Sequence, residues 1–117
     1  MTFIYHIAAA ADGEQARRDG QYTMSTRGLT LAEQGFIHAS TAGQVAAVAN
    51  AFYRGEPDLL LLVIDPGLVT AEIRYEHVPG QAEPYPHVYG PLNTEAVIET
   101  RPFEPGPDGE FSFSPAG

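Results

Sequence analysis

The chain has 117 residues, with 15 acidic and 6 basic side chains and a formal net charge of −9 at pH 7, and this length fits a single domain around one hydrophobic core. It contains no cysteine, which excludes disulfide bonds, thiolate metal sites and a cysteine nucleophile. All of its basic residues are arginines, which excludes a lysine Schiff base and a phosphate-loop lysine.

The distribution of charge and apolar residues limits the partners. The arginines are too scattered to form the basic stripe that binds a phosphate backbone, so we expect no long nucleic acid partner. The N-terminal segment lacks the basic region of a signal peptide, and no apolar run reaches the roughly 20 residues that span a bilayer. We therefore expect a cytoplasmic protein without a membrane partner, as a monomer or a weak homodimer.

The chain begins with a predicted strand and helix. β-Branched and aromatic residues crowd positions 3–7, which predicts a first strand that contains His6. Asp12 is expected to cap a helix that runs to Arg18, and Gly20 is expected to close that helix in a left-handed conformation.

A helical turn, a strand and a longer helix are predicted next. Thr30 is expected to cap the turn, and residues 36–40 then read as a second strand. Thr41 with Gln44 three residues later is a capping-box pattern, which predicts a helix that stops at Gly55.

The second half of the chain is predicted to hold the central strand. Residues 59–65 form a continuous apolar run, which is typical of a strand covered on both faces. Residues 73–75 are expected to pair back after a turn, and residues 95–103 alternate as a last long strand. Residues 1–103 are therefore assigned to one domain.

The composition changes after this predicted domain. Residues 104–117 are rich in proline, glycine and acidic residues, which predicts a loosely held tail. Phe111 and Phe113 are the residues through which this tail is expected to dock on the body.

Histidines at positions 6, 38, 77 and 87 are the main candidates for chemistry. His6 and His38 lie within predicted strands, where an imidazole is either a hydrogen-bonded core group or the floor of a cleft. Residues two apart share a face of a strand, so Phe36, His38 and Ser40 are expected to point to one side. Ser40 and Thr41 precede a helix, where they either support an anion or only cap the helix.

Residues 84–93 combine prolines, aromatic residues and polar side chains in one short segment. Three prolines stiffen it into a predicted loop, and its aromatic and polar side chains include His87, Tyr89 and Asn93. Such a loop is suited to clamp a base or a sugar. The alternative is an ordered connection filled by its own aromatic side chains.

Metal and hydrolase motifs are missing from the sequence. Histidines with Asp65, Glu76 or Glu95 would supply nitrogen and oxygen ligands, but no His-x-His, His-x-x-x-His or His-Glu-x-x-His spacing occurs, so no metal site is predicted. A Gly-x-Ser-x-Gly elbow, a Gly-x-Gly-x-x-Gly motif and a phosphate loop are also absent.

Several segments in one order resemble a known family. They are residues 4–7, residues 35–40 with Gln44, residues 48–50 with 52–53, residues 60–65, and residues 86–93 with 96–97. Together they resemble the bacterial family called domain of unknown function 952, from Phe3 to about Phe103. Departures are mild, such as Ala39 where a cysteine is common.

The resemblance implies a fold related to the ADP-ribosyltransferases. That fold is α+β, a single domain with a split mixed or antiparallel β-sheet, a few short helices and a cleft for nicotinamide adenine dinucleotide (NAD). NAD is accordingly the candidate cofactor. By resemblance His6 holds the nicotinamide ribose, Ser40 supports the pocket and Glu95 orients a ribose hydroxyl, which makes these three the candidate catalytic residues.

The expected partner is a nucleotide-like small molecule, and the hypotheses differ in what happens to it. They are an ADP-ribosyl-type transferase, a binding protein without catalysis, and an interaction protein with an exposed apolar patch. Convergence of the three candidate catalytic residues on one pocket would favour catalysis, and a Glu95 that faces solvent would favour binding. The candidate ligand-binding residues are Tyr5, His38, Thr41, His87, Tyr89 and Asn93.

Overall fold

The computed structural model describes residues 2–26 and 28–113. Short 3₁₀ turns at Pro66–Leu68 and Thr94–Ala96 separate some of its strands. In chain order the other elements are β1 (Ile4–Ala9), α1 (Ala10–Asp19), β2 (Gln21–Tyr22), β3 (Met24–Thr26), β4 (Leu29–Thr30), α2 (Leu31–Gln34), β5 (Ile37–His38), α3 (Val45–Phe52), β6 (Leu59–Ile64), β7 (Glu72–Glu76), β8 (Tyr85–Tyr89), β9 (Leu92–Asn93) and β10 (Val97–Phe103).

The strands form a split sheet. Strand β6 lies between β1 and β10, which confirms the predicted central strand, and β8 lies between β5 and β7 in a second sheet. Tyr5 and Ser40 join the two sheets, since the backbone N–H of each donates to the carbonyl of the other at 2.8 Å. The pairings between the described strands are all antiparallel, including β2 with β9 and β3 with β4. The structure therefore confirms a split, antiparallel α+β domain.

The central strand is buried because both of its faces are covered. Leu61 and Val63 pack in a cluster with α3, whereas Leu62 and Ile64 pack in a cluster on the opposite face. All four side chains are at most 4% exposed, and each buried aliphatic side chain contributes about 1.5–3 kcal/mol. This explains why the sequence of β6 is apolar at every position rather than at alternate ones.

The helix ends follow local sequence signals in part. Gly20 closes α1 with a φ of 80°, as predicted. The helix begins earlier than expected, at Ala10, and Ala9 takes the N-cap position without a side-chain hydrogen bond, so Asp12 lies in the first turn and not at the cap. No helix within residues 2–26 and 28–113 combines the length and hydrophobicity needed to cross a bilayer.

The structure confirms the predicted cap of α2 and half of the predicted capping box at α3. The Thr30 side chain accepts from the backbone of Glu33, and the Glu33 side chain accepts from the backbone of Thr30. At α3 the Thr41 N–H donates to the side chain of Gln44 at 3.0 Å. That helix ends at Phe52, three residues before the predicted Gly55.

Strand β8 replaces the loop that the prolines of residues 84–93 predicted. The N–H of Ala39 donates to the carbonyl of Pro86 at 3.0 Å, and the ladder between β5 and β8 ends at this point. Proline has no N–H to return that bond, so Pro86 fits where the shorter strand stops. The prediction of a loop was wrong because the position of a proline relative to its neighbour strand is a property of the folded sheet.

The C-terminal segment docks on α3. Phe111 is 4% exposed within the core cluster, and Phe113 packs its ring 4.9 Å from that of Tyr5. The Asn50 side chain donates to the Phe111 carbonyl at 3.0 Å and accepts from the Phe111 N–H at 2.7 Å. The two aromatic residues expected to dock therefore do so.

Candidate ligand-binding site

A cavity of about 470 Å³ lies against the sheet formed by β5, β8 and β7. Its volume is in the range of small-molecule sites. None of the described residues that line it is an aspartate, glutamate or arginine. The lining residues are Ser25, Thr26, Leu29, Gln34, Phe36, His38, Val48, Phe52, Tyr53, Val78, Gln81, Tyr85 and His87.

Strand alternation places the aromatic side chains of this wall. In β8 Tyr85 and His87 line the cavity, whereas Val88 is buried in the core cluster of the opposite face. In β5 His38 lines the cavity and Ile37 faces that same core. One face of this small sheet is thus reserved for the cavity and the other for packing.

Aromatic stacking fixes the imidazole of His87. Its ring lies 4.0 Å from the ring of Phe36 with an interplanar angle of 17°, which is a stacked arrangement. The ring of His38 lies 5.2 Å from that of Tyr85 and 5.3 Å from that of His87. Such contacts hold the side chains of the wall in one conformation.

A chain of hydrogen bonds links the two cavity histidines to a carboxylate. Oε1 of Glu76 accepts from Nδ1 of His87 at 2.8 Å and from the Tyr89 hydroxyl at 2.6 Å. Nε2 of His87 lies 3.3 Å from Nδ1 of His38. Glu76 is on the neighbouring strand β7, opposite Tyr85 in the register, so strand pairing brings it to His87.

Burial and hydrogen bonding determine the charge states of His38 and Glu76. Burial and, to a smaller extent, the neighbouring His87 lower the pKa of His38 to about 4, so His38 is neutral at neutral pH. Hydrogen bonds from Tyr89 and His87 hold the pKa of Glu76 below its usual value, which keeps this carboxyl group ionised. The cavity wall thus presents a neutral imidazole supported by an anion behind it.

Ser25 supplies a further polar group. Its side chain is fully buried and lines the cavity, and its hydroxyl has no hydrogen-bond partner among the residues the structure describes. A buried hydroxyl without a partner costs about 1–3 kcal/mol, which makes it unusual in a folded protein.

His6 is a core histidine in this structure. It is 3% exposed, its Nδ1 donates to the carbonyl of His38 at 2.5 Å, and its Nε2 accepts from the Tyr22 hydroxyl at 2.9 Å. Both ring nitrogens are therefore occupied, and His6 does not line the cavity. Burial lowers the pKa of His6 to about 4 and raises that of Tyr22.

The candidate catalytic residues do not meet in the cavity. Ser40 is 3% exposed and bridges to Tyr5 through its backbone, whereas Glu95 is exposed on the 3₁₀ turn Thr94–Ala96. Glu95 precedes β10, which begins at Val97, two residues after the predicted start of that strand. The catalytic roles of His6, Ser40 and Glu95 gain no support from this placement and stay predictions.

The candidate ligand-binding residues divide into two groups. His38 and His87 line the cavity. Tyr89 is linked to His87 because both side chains donate to Glu76. The others lie elsewhere. Tyr5 belongs to the core, Thr41 starts the turn before α3, and Asn93 bonds the backbone of Leu68 and Thr70.

Sequence reasoning missed Glu76, which bonds His87 behind the cavity wall, and two residues that line the cavity. Glu76 was considered only as a metal ligand, and Ser25 and Gln81 were not considered as site residues. The alternation of residues 72–76 was a usable signal for Glu76, since it places Glu72, Arg74 and Glu76 on one face of a strand. Ser25 lies in a short segment whose burial depends on distant strands, so no local pattern identifies it.

The chain resembles proteins of known structure over nearly its whole length. The crystal structure of protein CC0527 from Caulobacter crescentus is 27% identical, covers 95% of this chain and 94% of its own, and superposes with a TM-score of 0.83. The solution NMR structure of CC0527 is 28% identical, covers 96% and 93%, and gives a TM-score of 0.79. Both are structural genomics targets of the Northeast Structural Genomics Consortium.

Family membership rests on a separate comparison. No curated protein sequence matches the chain. The model of the family described as "Protein of unknown function (DUF952)" matches residues 7–100, which is most of the chain and contains the cavity wall. The protein therefore belongs to the DUF952 family.

Proposed function

We propose that this protein binds a small molecule by inserting a planar aromatic ring, such as a nicotinamide or a nucleobase, into the cavity beside His38. The supporting observation is the composition of the wall. Stacked and tilted aromatic rings of Phe36, His38 and Tyr85 surround an apolar space that contains a few hydrogen-bonding groups. Ligand sites for flat rings have this composition.

The described lining residues carry no acidic or arginine side chain, and this favours an uncharged part of the ligand. A pyrophosphate carries negative charge and is usually held by arginines or by helix N-termini. No arginine is among the described residues that line the cavity, and the chain has a formal net charge of −9. The ring of a nucleotide-like ligand is therefore the recognised part, and its phosphates extend into solvent.

Binding is better supported than ADP-ribosyl transfer. A transferase of the type implied by the resemblance needs a glutamate beside the ribose, and Glu95 is solvent-exposed outside the cavity wall. His6, which was expected to hold the ribose, has both ring nitrogens occupied by protein groups. The geometry thus favours a binding protein over an NAD-dependent transferase.

The test is a protein-observed NMR titration of the isotope-labelled protein with nicotinamide, adenosine, ADP-ribose and NAD. We expect saturable binding of the ring-containing ligands, with chemical-shift changes at His38 and Tyr85. His38→Ala is expected to weaken binding about tenfold, the effect of losing one good polar contact. His77→Ala is the matched control, because His77 is an exposed histidine outside the wall.

Two outcomes would contradict the proposal. One is no binding of any of these ligands at millimolar concentration. The other is equal affinity in the wild type and in His38→Ala, which would place the binding site elsewhere on the molecule.

A further inference from the structure

Glu76, His87 and His38 form a continuous hydrogen-bonded path from the edge of the sheet to the cavity. Glu76 has a side chain that is 37% exposed, whereas the His87 side chain is 6% exposed, so the path starts near solvent and passes through a buried imidazole. The joining distances are 2.8 Å between Glu76 and His87 and 3.3 Å between His87 and His38.

The hydrogen-bond partners determine where the protons lie. An ionised carboxylate only accepts, so in the neutral form of His87 Nδ1 carries the hydrogen and Nε2 keeps a free lone pair. Nδ1 of His38 then donates to that lone pair. The remaining nitrogen, Nε2 of His38, keeps its own lone pair and has no hydrogen-bond partner among the described residues.

Two buried or partly buried polar groups of the wall have no hydrogen-bond partner in the part of the chain that the structure describes. One is Nε2 of His38, which can only accept, and the other is the buried hydroxyl of Ser25, which can donate or accept. Both residues line the same cavity. A ligand that bonds the imidazole carries an N–H or O–H, whereas the buried hydroxyl has almost no surface that a ligand could contact.

We infer that Nε2 of His38 accepts the proton of a weakly acidic N–H or O–H on the bound ring, with His87 and Glu76 as positioning residues. This inference rests on the proposed binding of a planar ring. The ligand is accordingly a heteroaromatic imide, lactam or phenol.

Every proton that moves in this transfer is accepted by a named nitrogen atom. The N–H or O–H bond of the ligand breaks, its proton bonds to Nε2 of His38, and the ligand keeps the electron pair as an anion. The proton on Nδ1 of His38 moves to Nε2 of His87. His87 becomes an imidazolium ion 2.8 Å from the Glu76 carboxylate, which stabilises its charge, and His38 stays neutral throughout.

Several titratable groups of the described residues lie near His38. The neighbouring strand β1 contributes His6, which donates to the His38 carbonyl, and β8 contributes His87 and Tyr85. At the other end of the hydrogen-bonded path, Glu76 accepts from Tyr89. The guanidinium of Arg74 lies 4.3 Å from the Tyr89 ring.

The probe for the test is para-nitrophenol, which is coloured only when its hydroxyl is ionised. Its methyl ether, para-nitroanisole, has the same ring but no hydroxyl proton. Affinity is measured by equilibrium dialysis, and ionisation by visible absorbance, at a pH where the free phenol is mainly protonated. The proteins are the wild type, Glu76→Gln, His38→Ala and the control Glu72→Gln, in which an exposed glutamate of the same strand is changed.

We expect the wild type and Glu72→Gln to bind the phenol about tenfold more tightly than the ether, and to increase its ionised fraction. Glu76→Gln is expected to bind the ether normally but to lose this tenfold preference and the added colour. His38→Ala is expected to lose both effects.

The results distinguish the proton transfer, the role of Glu76 and the binding of the ring. Equal binding of phenol and ether by the wild type, without added colour, overturns the proton transfer and leaves ring binding intact. An unchanged preference in Glu76→Gln overturns the role of the carboxylate. If the wild type binds neither compound, both the proton transfer and the proposed ring binding are contradicted. Circular dichroism of each variant shows whether a loss arises from unfolding.

Discussion

Nε2 of His87 lies 3.3 Å from Nδ1 of His38, and the two residues are direct partners in the antiparallel register of β5 and β8. Directly opposed residues on one face of a sheet lie within reach of each other's side chains. The contact between the two imidazoles is therefore fixed by backbone pairing and does not depend on a flexible loop. A slip of one strand by one residue would turn its imidazole to the opposite face and break the contact.

The first prediction concerns the tautomers of the buried histidines. Because Nδ1 of His6 donates to a carbonyl and Nδ1 of His87 donates to a carboxylate, the neutral form of each ring is expected to carry its hydrogen on Nδ1. Long-range proton–nitrogen NMR correlation distinguishes the two tautomers. The exposed His77 serves as the reference, and a signal for hydrogen on Nε2 of His6 would contradict this structure.

The second prediction is a loss of stability in acid. The pKa of His6 falls from 6.5 to about 4 on folding, because burial disfavours the charged ring. Between these values the unfolded chain binds a proton that the folded chain does not, so the free energy of unfolding decreases as the pH falls from 6.5 to about 4. The full loss from this residue is about 3 kcal/mol, and His38 adds to it in the same window.

Urea unfolding across that pH window measures the effect. His6→Asn retains a donor for the His38 carbonyl and removes the titrating ring, so its stability is expected to vary less with pH, although it is lower at neutral pH. A wild-type stability that stays constant between pH 6.5 and about 4 would disprove the assignment of His6 as a neutral core residue.

The third prediction tests the Tyr22 hydroxyl. Tyr22→Phe leaves the buried Nε2 of His6 without a partner, which is expected to cost about 1–3 kcal/mol. Chemical denaturation gives the difference. Tyr75→Phe is the matched control, because Tyr75 is 55% exposed and its substitution is expected to change the free energy of unfolding by less than about 0.5 kcal/mol.

The fourth prediction separates stability from binding at Ser25. Ser25→Ala removes a buried hydroxyl that has no partner in the described chain, so its free energy of unfolding is expected to stay the same or to rise by about 1 kcal/mol. Binding of the ring ligand is expected to stay unchanged, because the hydroxyl has almost no surface that a ligand could contact. Thermal unfolding and the NMR titration, applied to the same sample, measure the two quantities. Lower stability with unchanged affinity would show that the hydroxyl is a structural group.

The fifth prediction concerns the docked C-terminal segment. Phe111→Ala is expected to cost about 3–5 kcal/mol, since it removes a buried aromatic ring from the core. Asn50→Ala removes the two hydrogen bonds to the Phe111 backbone and is expected to cost about 1–3 kcal/mol. The control is Phe52→Ala, which removes a phenylalanine that is 69% exposed. An equal cost for both phenylalanines would contradict the docking.

The elements that could be predicted from the sequence are those that depend on residues close together in the chain. The apolar run of β6, the left-handed Gly20 and the cap at Thr30 depend on neighbouring residues, and the structure confirms all three. The family was also identifiable, because its segments recur in one order.

The arrangement of the site could not be predicted in the same way. His38 and His87 were identified as candidates, but their contact depends on the pairing of strands 49 residues apart. Glu76 joins them only because β7 pairs with β8, and β8 was predicted as a loop on account of its prolines. Glu95 was assigned a role by resemblance, and its exposed position depends on the turn before β10.

The position of β6 also has a consequence for synthesis. One of its neighbours, β1, leaves the ribosome well before it, and the other, β10, leaves well after it. Until β10 emerges, an almost wholly apolar strand has an unpaired edge that can recruit other chains. A nascent chain stalled before residue 97 is therefore expected to depend on chaperones more strongly than the finished protein does.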